Sequence, residues 1–351
     1  MKNIKKVIVL APGFSKDEGD TSCIPALADY VRNLAKFHPE LKIFVIAFQY
    51  PFIRGWYKWH GIDVYTAGGK NRGKIHRLIT WGMVNMAFIR IIMFNKIDVI
   101  HTFWLDECAF VGQYLSMIFG IKHVGTILGQ DAKDSNKYLK YIDFKSMTVT
   151  CGSTVTSETF KKSTGKAVDV LLPIGFDESV LCDKKRGNDR SIDILGVGAL
   201  IPLKNYSVFI DVIAELKGKY PNIKAVLIGD GVERQELLDK IKGMGLSDNI
   251  KLTGHILREE VFDKMLDSKI LLHPSTYEGQ VNVFMEALYC GLEIVCFNIG
   301  HMESSVGIYI SSNTNEMTKN VEMLLQKDYI DKPILLKSMK DTVEDFIKIY
   351  Q

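Results

Sequence analysis

The feature that most constrains the fold of this chain is a regular alternation of short apolar, β-branched runs with longer stretches of helical period. The runs recur at 5–12, 41–48, 97–103, 122–128, 147–151, 167–172, 191–198, 223–231, 249–254, 268–275 and 292–298. Strands that alternate with helices form parallel sheets covered by helices on both faces. The pattern therefore predicts an α/β chain with two doubly wound parallel sheets.

The length of 351 residues corresponds to about two domains at about 150 residues each. The segment 173–190 collects Pro, Gly, Asp and a basic run without periodicity, which is typical of a linker. We therefore predict an N-terminal domain at 1–172, a linker at 173–190, a second domain at 191–330 and a C-terminal helix at 331–351. That helix is a candidate to pack back toward the N-terminal domain.

Composition excludes several classes of protein. A hydrophobic fraction of 47% and a charged fraction of 24% are ordinary for a soluble globular protein and exclude disorder, collagen and coiled coil. The six cysteines are scattered without a C-x-x-C pair, which indicates neither a zinc ribbon nor a disulfide scaffold. A reducing cytoplasm is the expected compartment.

The formal net charge of +3 hides an asymmetry between the two halves. Residues 1–172 carry 23 basic and 14 acidic side chains, whereas residues 173–351 carry 21 and 27. Residues 51–100 alone have eight basic and two acidic residues. Such a segment favours a phosphate-rich or membrane partner, so we expect an anionic membrane surface to be contacted through residues 51–100. A basic face that only complements the acidic second domain is the alternative.

The apolar stretch at 78–94 has three interpretations. It is short for a membrane span and contains Asn85 and Arg90, which disfavours a transmembrane helix. A buried helix packed on the first sheet is the favoured interpretation. A helix whose basic, Trp-bearing end lies against anionic lipid headgroups stays open.

The most informative stretch for function is 273–288. It follows a strand, turns at Glu278 and Gly279, and enters a helix near Val281. A helix N-terminus after a strand offers unpaired N–H groups to an anionic ligand. Glu278 at the turn can accept hydrogen bonds from ligand hydroxyls, and Glu286 inside the helix can bind both hydroxyls of a vicinal diol. Two solvated glutamates on a helix surface are the alternative.

This pair of glutamates, separated by seven residues after a Pro-Ser strand end, resembles the signature of the retaining glycosyltransferases of family 4, which have the GT-B fold. Supporting segments stand in the family's order: 197–200, Lys204, 227–231, 252–255 and Gly291, with 129–131 and 172–177 in the first half. The resemblance is specific over about 192–297 and diffuse over the first 190 residues. It implies two Rossmann-like domains facing a crevice, with C-terminal helices.

The resemblance also implies roles for individual residues. Glu286 would bind the donor ribose, Glu278 would contact the transferred sugar, and Lys204 would hold the diphosphate. Asp131 would be catalytic, although a helix cap is an equal alternative for it. The remaining donor-binding candidates are the backbone at Gly279, Gln280, Val281 and Asn282, the glycines Gly19 and Gly198, and the base-bordering pair Gly254 and His255.

The sequence departs from the family pattern at two positions. Ala199 stands where an arginine commonly provides a second diphosphate cation, and Arg258 and Arg234 are unranked candidates to replace it. Leu128 stands where many members carry a histidine. The lone histidines His101, His255 and His273 are more often structural than functional.

The chain is therefore expected to be a metal-independent, retaining hexosyl- or related transferase that uses a nucleoside-diphosphate sugar as co-substrate and no other cofactor. We expect a glycan or lipid-linked glycan acceptor, a role in cell-surface polysaccharide biosynthesis, and a cytoplasmic or peripheral inner-membrane location, without nucleic acid. No Asp-x-Asp, H-E-x-x-H or Walker motif is present, so no metal site is predicted. Two alternatives stay open: a nucleotide-sugar-binding homologue with little transferase activity, and a GT-B sugar-nucleotide epimerase.

Overall fold

The computed structural model describes residues 4–21, 23–73, 75–181, 189–299, 306–327 and 332–351. The chain forms two compact units. Unit 1 contains Met1–Asp177 and Lys337–Gln351, and unit 2 contains Glu178–Leu336. The change of unit after Asp177 falls within the segment predicted as a linker, of which residues 182–188 lie outside the described part.

Strands and helices alternate along both units. The strands are β1 (Lys6–Gly13), β2 (Lys42–Tyr50), β3 (Gly55–Trp59), β4 (Ile62–Thr66), β5 (Val99–Phe103), β6 (Lys122–Ile127), β7 (Thr148–Cys151), β8 (Val170–Leu171), β9 (Ile192–Val197), β10 (Ala225–Ile228), β11 (Ile250–Gly254), β12 (Ser268–His273), β13 (Glu293–Phe297) and β14 (Ile308–Ser311). The helices are α1 (Pro25–Phe37), α2 (Ile75–Phe94), α3 (Glu107–Phe119), α4 (Thr154–Thr164), α5 (Tyr206–Lys217), α6 (Arg234–Gly243), α7 (Arg258–Leu266), α8 (Asn282–Tyr289), α9 (Thr314–Leu325) and α10 (Met339–Tyr350).

Each unit is built on one sheet. Unit 1 has the strand order β3-β4-β2-β1-β5-β6-β7-β8, parallel except for the antiparallel pair β3–β4. Unit 2 has the order β11-β10-β9-β12-β13-β14 and is parallel throughout. The second order is that of a doubly wound dinucleotide-binding sheet, whose order reverses between β9 and β12. The predicted fold class is therefore confirmed.

The C-terminal helix α10 belongs to the core of unit 1. It begins at Met339 and not at the predicted residue 331, because Ser338 caps it by accepting the Asp341 N–H at 3.0 Å. Its Val343 and Phe346 are fully buried with α1 and the strands. Burial of this amphipathic face fixes α10 on unit 1.

A buried polar network also ties α10 to the sheet. The Tyr350 hydroxyl lies 2.6 Å from His101 Nδ1 and 2.5 Å from the Tyr30 hydroxyl, and His101 Nε2 lies 2.7 Å from Thr126 Oγ1. Burial lowers the pKa of His101 well below its usual range, so its ring stays neutral. The structural interpretation of His101 is therefore supported.

Replacing Tyr350 with phenylalanine is expected to lower the free energy of unfolding of unit 1 by about 1–3 kcal/mol, because buried polar atoms of His101 and Tyr30 lose their shared partner. Urea unfolding followed by tryptophan fluorescence measures the change. Tyr141→Phe is the matched control, since the Tyr141 side chain is 64% exposed. Equal stability of the two variants would show that the network contributes nothing.

Helix α2 departs from the favoured sequence-based interpretation. It packs on the unit 1 sheet through one narrow stripe that includes Val84, Phe88 and Ile91, but most of its surface is exposed. It is also the one helix among the described residues that is long and apolar enough to cross a membrane. A helix that is apolar all round is typical of a fully buried core helix, which is why the pattern predicted burial.

Candidate active site

The site lies at the carboxyl edge of the unit 2 sheet, where three glycine-containing loops approach one another. The Gly198 N–H donates to the Ile228 carbonyl at 3.0 Å, and the Gly229 N–H donates to the Gly254 carbonyl at 3.1 Å. A Cβ on Gly229 would lie 1.8 Å from the Gly198 carbonyl oxygen. The absence of side chains thus allows the loops after β9, β10 and β11 to form one continuous edge.

The turn that carries Lys204 is attached to the neighbouring strand by hydrogen bonds to one backbone carbonyl group. Lys204 ends this short 3-10 turn, which starts at Pro202. The carbonyl of Leu203 accepts hydrogen bonds from Thr276 N, Thr276 Oγ1 and Ser275 Oγ at 3.0, 3.1 and 3.1 Å. The loop after β9 is therefore attached to the loop after β12, on both sides of the point where the strand order reverses.

This attachment brings together two residues that are 74 positions apart. Lys204 Nζ lies 2.5 Å from Glu278 Oε1, and His273 Nε2 lies 2.8 Å from the same oxygen. Burial opposes ionisation of Glu278, but the hydrogen bond from His273 and the charge of Lys204 outweigh it and lower its pKa to about 2. Glu278 is thus ionised at any physiological pH.

His273 belongs to both the core and the site. Its side chain is 1% exposed and packs edge-on against Phe284 of α8. Burial lowers its pKa, so the ring is neutral and Nε2–H donates to Glu278. The sequence alone favoured a structural role for His273. Its position at a strand end, directly before Pro274, was the local signal that could have indicated a site residue.

Glu286 is paired with a cation as well. Its Oε1 accepts a hydrogen bond at 3.0 Å from Nη2 of Arg258, at the start of α7. Arg234, the other candidate for the missing cation, has Nη2 3.8 Å from the place of a Cβ on Gly254 and Nε 3.9 Å from Asp230 Oδ1. The structure therefore ranks Arg258 first, because it alone of the two contacts a predicted donor-binding carboxylate.

The other predicted donor-binding residues of unit 2 follow β11 and β12 at the same edge of the sheet. Helix α8 begins at Asn282, with Val281 as a cap residue that forms no side-chain cap hydrogen bond, and Gln280 Nε2 donates to Asn282 Oδ1 at 2.9 Å. Gly279 precedes them in the same turn. His255 is exposed after β11. His255 thus lies in the loop after β11, Gly279, Gln280 and Val281 lie in the loop after β12, and Asn282 is the first residue of α8.

The predicted site residues of unit 1 have other surroundings. The Asp131 carboxylate accepts backbone N–H groups of Leu105, Leu128 and Gly129 at 2.9, 3.1 and 2.8 Å, which is the arrangement of a residue that holds a loop. Its catalytic role stays a prediction. The capping alternative is wrong, because Asn136 caps the following 3-10 turn by accepting the Tyr138 N–H at 3.1 Å, whereas Asp131 accepts N–H groups that precede it in the chain. Gly19 lies exposed in the loop after β1.

One buried group near Glu278 was not predicted from the sequence. The Tyr206 hydroxyl is buried and has no hydrogen-bond partner among the residues that the structure describes, and it lies 2.7 Å from the place of a Cβ on Gly198. Burial and the nearby Glu278 charge raise its pKa. No pattern in the sequence distinguishes this tyrosine from an ordinary core residue.

Comparison with known families agrees with this geometry. Residues 181–326 match the model of the family described as glycosyl transferases group 1. This segment contains β9 to β14 and every unit 2 residue discussed above. Residues 181–326 thus resemble a group 1 glycosyltransferase domain, which agrees with the family predicted from the sequence.

Individual relatives belong to the same class. The phosphatidylinositol N-acetylglucosaminyltransferase gpi3 subunit of Schizosaccharomyces pombe is 24% identical over 234 residues, which cover 65% of this chain and 50% of that protein. The N-acetylgalactosamine-N,N'-diacetylbacillosaminyl-diphospho-undecaprenol 4-alpha-N-acetylgalactosaminyltransferase of Campylobacter jejuni is 29% identical over 147 residues, covering 40% and 39%. The chain spans half or less of the length of these two relatives.

Solved structures share the whole fold. Anabaena HepE in complex with UDP and glucose is 17% identical, covers 99% of both chains and has a TM-score of 0.75. Sucrose-phosphate synthase from Thermosynechococcus elongatus is 16% identical, covers 99% of this chain and 96% of its own, and has a TM-score of 0.73. At this identity the likeness concerns the fold alone, and the predicted GT-B fold is confirmed.

Proposed function

We propose that this protein is a retaining glycosyltransferase that moves a hexosyl or related sugar from a nucleoside diphosphate to an acceptor hydroxyl. The observation that carries the proposal is the convergence of Lys204 and His273 on Glu278 where the strand order reverses. In such sheets, ligands bind in the crevice at this point. A cation beside a carboxylate is suited to a diphosphate and the hydroxyls of the sugar attached to it.

The charge state of Glu278 supports an orienting role. A carboxylate with a pKa of about 2 is a poor general base at neutral pH. In the proposed reaction the bond between the anomeric carbon and the diphosphate oxygen breaks, and a bond to the acceptor oxygen forms on the same face. The acceptor proton passes to the departing diphosphate, so no protein base is required.

Lys204 supplies the electrostatic stabilisation in this proposal. Bound diphosphate competes with Glu278 for the ammonium group, and the charge that builds on the leaving oxygens strengthens their attraction to Lys204. The N-terminus of α8 adds a positive dipole end on the same side. With these groups present, the proposed reaction needs neither a metal ion nor a further cofactor.

We propose a glycan or lipid-linked glycan acceptor and a role in cell-surface polysaccharide biosynthesis at the cytoplasmic face of a membrane. Two observations support this. The names of the relatives from S. pombe and C. jejuni contain phosphatidylinositol and diphospho-undecaprenol. The eight basic and two acidic residues within 51–100 favour an anionic surface.

Nucleotide binding tests the donor site directly. A thermal-shift panel of UDP, GDP, ADP and CMP is expected to give its largest rise with UDP, because UDP occupies the similar HepE structure. Glu286→Ala is expected to weaken UDP binding by about 10–100-fold, since charged hydrogen bonds to the ribose hydroxyls are lost. Isothermal titration calorimetry measures this change.

Glu236→Ala is the matched control, because Glu236 is an exposed carboxylate on α6. If Glu286→Ala and Glu236→Ala bind UDP equally well, the ribose assignment is wrong. Incubation of the protein with a UDP-sugar and a lipid-linked acceptor, followed by NMR of the product's anomeric configuration, tests the reaction itself. An isomerised UDP-sugar without transfer would indicate an epimerase, and no turnover would indicate a binding protein.

A further inference from the structure

Helix α2 presents an apolar stripe on the side opposite to its core contacts. The buried stripe includes Val84 and Phe88, and the residues at 75, 79, 82, 86, 89 and 93 lie on the other side at helical spacing. They are Ile, Ile, Gly, Met, Ile and Met, with the Met86 and Met93 side chains 71% and 70% exposed. A helix that lies on a sheet normally directs polar residues outward. The exposed apolar stripe of α2 therefore indicates a surface that binds a partner.

Helix α3 extends the same surface. The Phe88 and Phe119 rings are 5.7 Å apart, which places the two helices side by side. Met117 and Ile118 of α3 are strongly exposed, and the one charged residue of α3, Glu107, is buried and accepts the Trp81 indole N–H at 2.8 Å. We call the exposed apolar side chains of α2 and α3 the α2–α3 face. Exposed apolar patches of this kind mark interaction sites.

The exposed charged residues on α2 and in the segments that flank it in the chain, within 51–100, are basic. Arg90 is exposed on α2 and lies 5.7 Å above the Trp56 ring, and Arg54, Lys70 and Lys96 are exposed in flanking segments. Both acidic residues of 51–100 already form an ion pair or hydrogen bonds within the protein. Asp63 pairs with Lys58 at 2.6 Å, and Asp98 accepts the backbone N–H groups of residues 5 and 6.

We propose that the α2–α3 face docks on an anionic lipid bilayer, with α2 and α3 lying in the plane of the interface. Apolar side chains flanked by cations and by a tryptophan complement acyl chains and anionic headgroups. A second copy of this chain would bring the same cations against one another. Spanning is disfavoured as well, because removing α2 from the sheet would expose the buried side of Val84 and Phe88.

The structure alters which tryptophan is expected at the interface. The sequence predicts Trp81, at the basic end of α2, as the tryptophan at the headgroups, but its indole N–H donates to Glu107. Trp56, on β3 beside Arg90, is 39% exposed. Within the function proposed above, on which this inference rests for its context, the α2–α3 face would keep the protein next to a lipid-linked acceptor.

Vesicle flotation tests the docking face. Full-length protein is expected to float with phosphatidylcholine vesicles that contain phosphatidylglycerol and to float far less with pure phosphatidylcholine. The double substitution Met86→Glu with Met93→Glu is expected to weaken this binding at least tenfold, because two charges would enter the acyl region. Arg90→Glu is expected to reduce the preference for anionic vesicles.

Met323→Glu is the matched control, since Met323 is an exposed methionine on a helix of unit 2. The UDP-induced thermal shift is measured on every variant, so a failure of nucleotide binding is distinguishable from a failure of docking. The proposal is overturned if the double variant floats like wild type, or if sedimentation shows a dimer that the substitutions dissociate while vesicle binding is unchanged.

Discussion

Replacing Glu278 with alanine is expected to lower kcat by about 10²–10³-fold, the loss seen when one preorganised polar group is removed from an active site. Binding of the free nucleoside diphosphate is expected to be unchanged or tighter. Lys204 loses its carboxylate partner at 2.5 Å in this variant and is then fully available to the phosphates. Initial rates with saturating donor and calorimetric titration with UDP measure the two effects.

The opposite responses of two variants make this prediction specific. Glu286→Ala should weaken nucleotide binding, whereas Glu278→Ala should spare binding and lose turnover, with Glu236→Ala behaving like wild type in both assays. If Glu278→Ala loses nucleotide binding as strongly as Glu286→Ala does, Glu278 is part of the nucleotide site and not the sugar site. If it keeps its full turnover, the proposed orienting role is wrong.

Replacing Gly229 with alanine is expected to lower the free energy of unfolding of unit 2 by about 2–4 kcal/mol through overpacking and backbone strain. Gly229 has a φ of 150°, and its new Cβ would lie 1.8 Å from the Gly198 carbonyl oxygen. The loops after β9 and β10 must then separate. Nucleotide binding should weaken along with stability, because both loops lie at the edge of the sheet where the donor is proposed to bind.

Gly243→Ala separates this clash from the general effect of losing a glycine. Gly243 ends α6, and nothing lies within 4 Å of its Cβ position. Alanine is a better helix former than glycine, so this variant should be as stable as wild type or slightly more so. Urea unfolding of both variants decides the matter. Similar stability of Gly229→Ala and Gly243→Ala would mean that the loops adjust without cost.

Much of the fold could be predicted from the chain alone, because strand and helix periods are local properties. Helix α2 shows the limit of that reasoning. Its sequence is apolar on all sides, and an apolar helix surface has the same sequence pattern whether it packs in a protein core or against a partner. The sheet of unit 1 covers only the stripe around Val84 and Phe88. The exposure of the other α2 side chains depends on how many helices cover that side of the sheet. No local sequence pattern encodes that number.

The sequence by itself determined which residues are candidates for the site. The Pro-Ser strand end, the turn at Glu278 and the helix carrying Glu286 are local features, and Lys204 follows a strand end by the same rules. The tertiary structure alone decided their partners: Lys204 and His273 meet on Glu278, and Arg258 pairs with Glu286. The physical reason is the strand order, since β9 and β12 are adjacent in the sheet although two strands separate them in the chain.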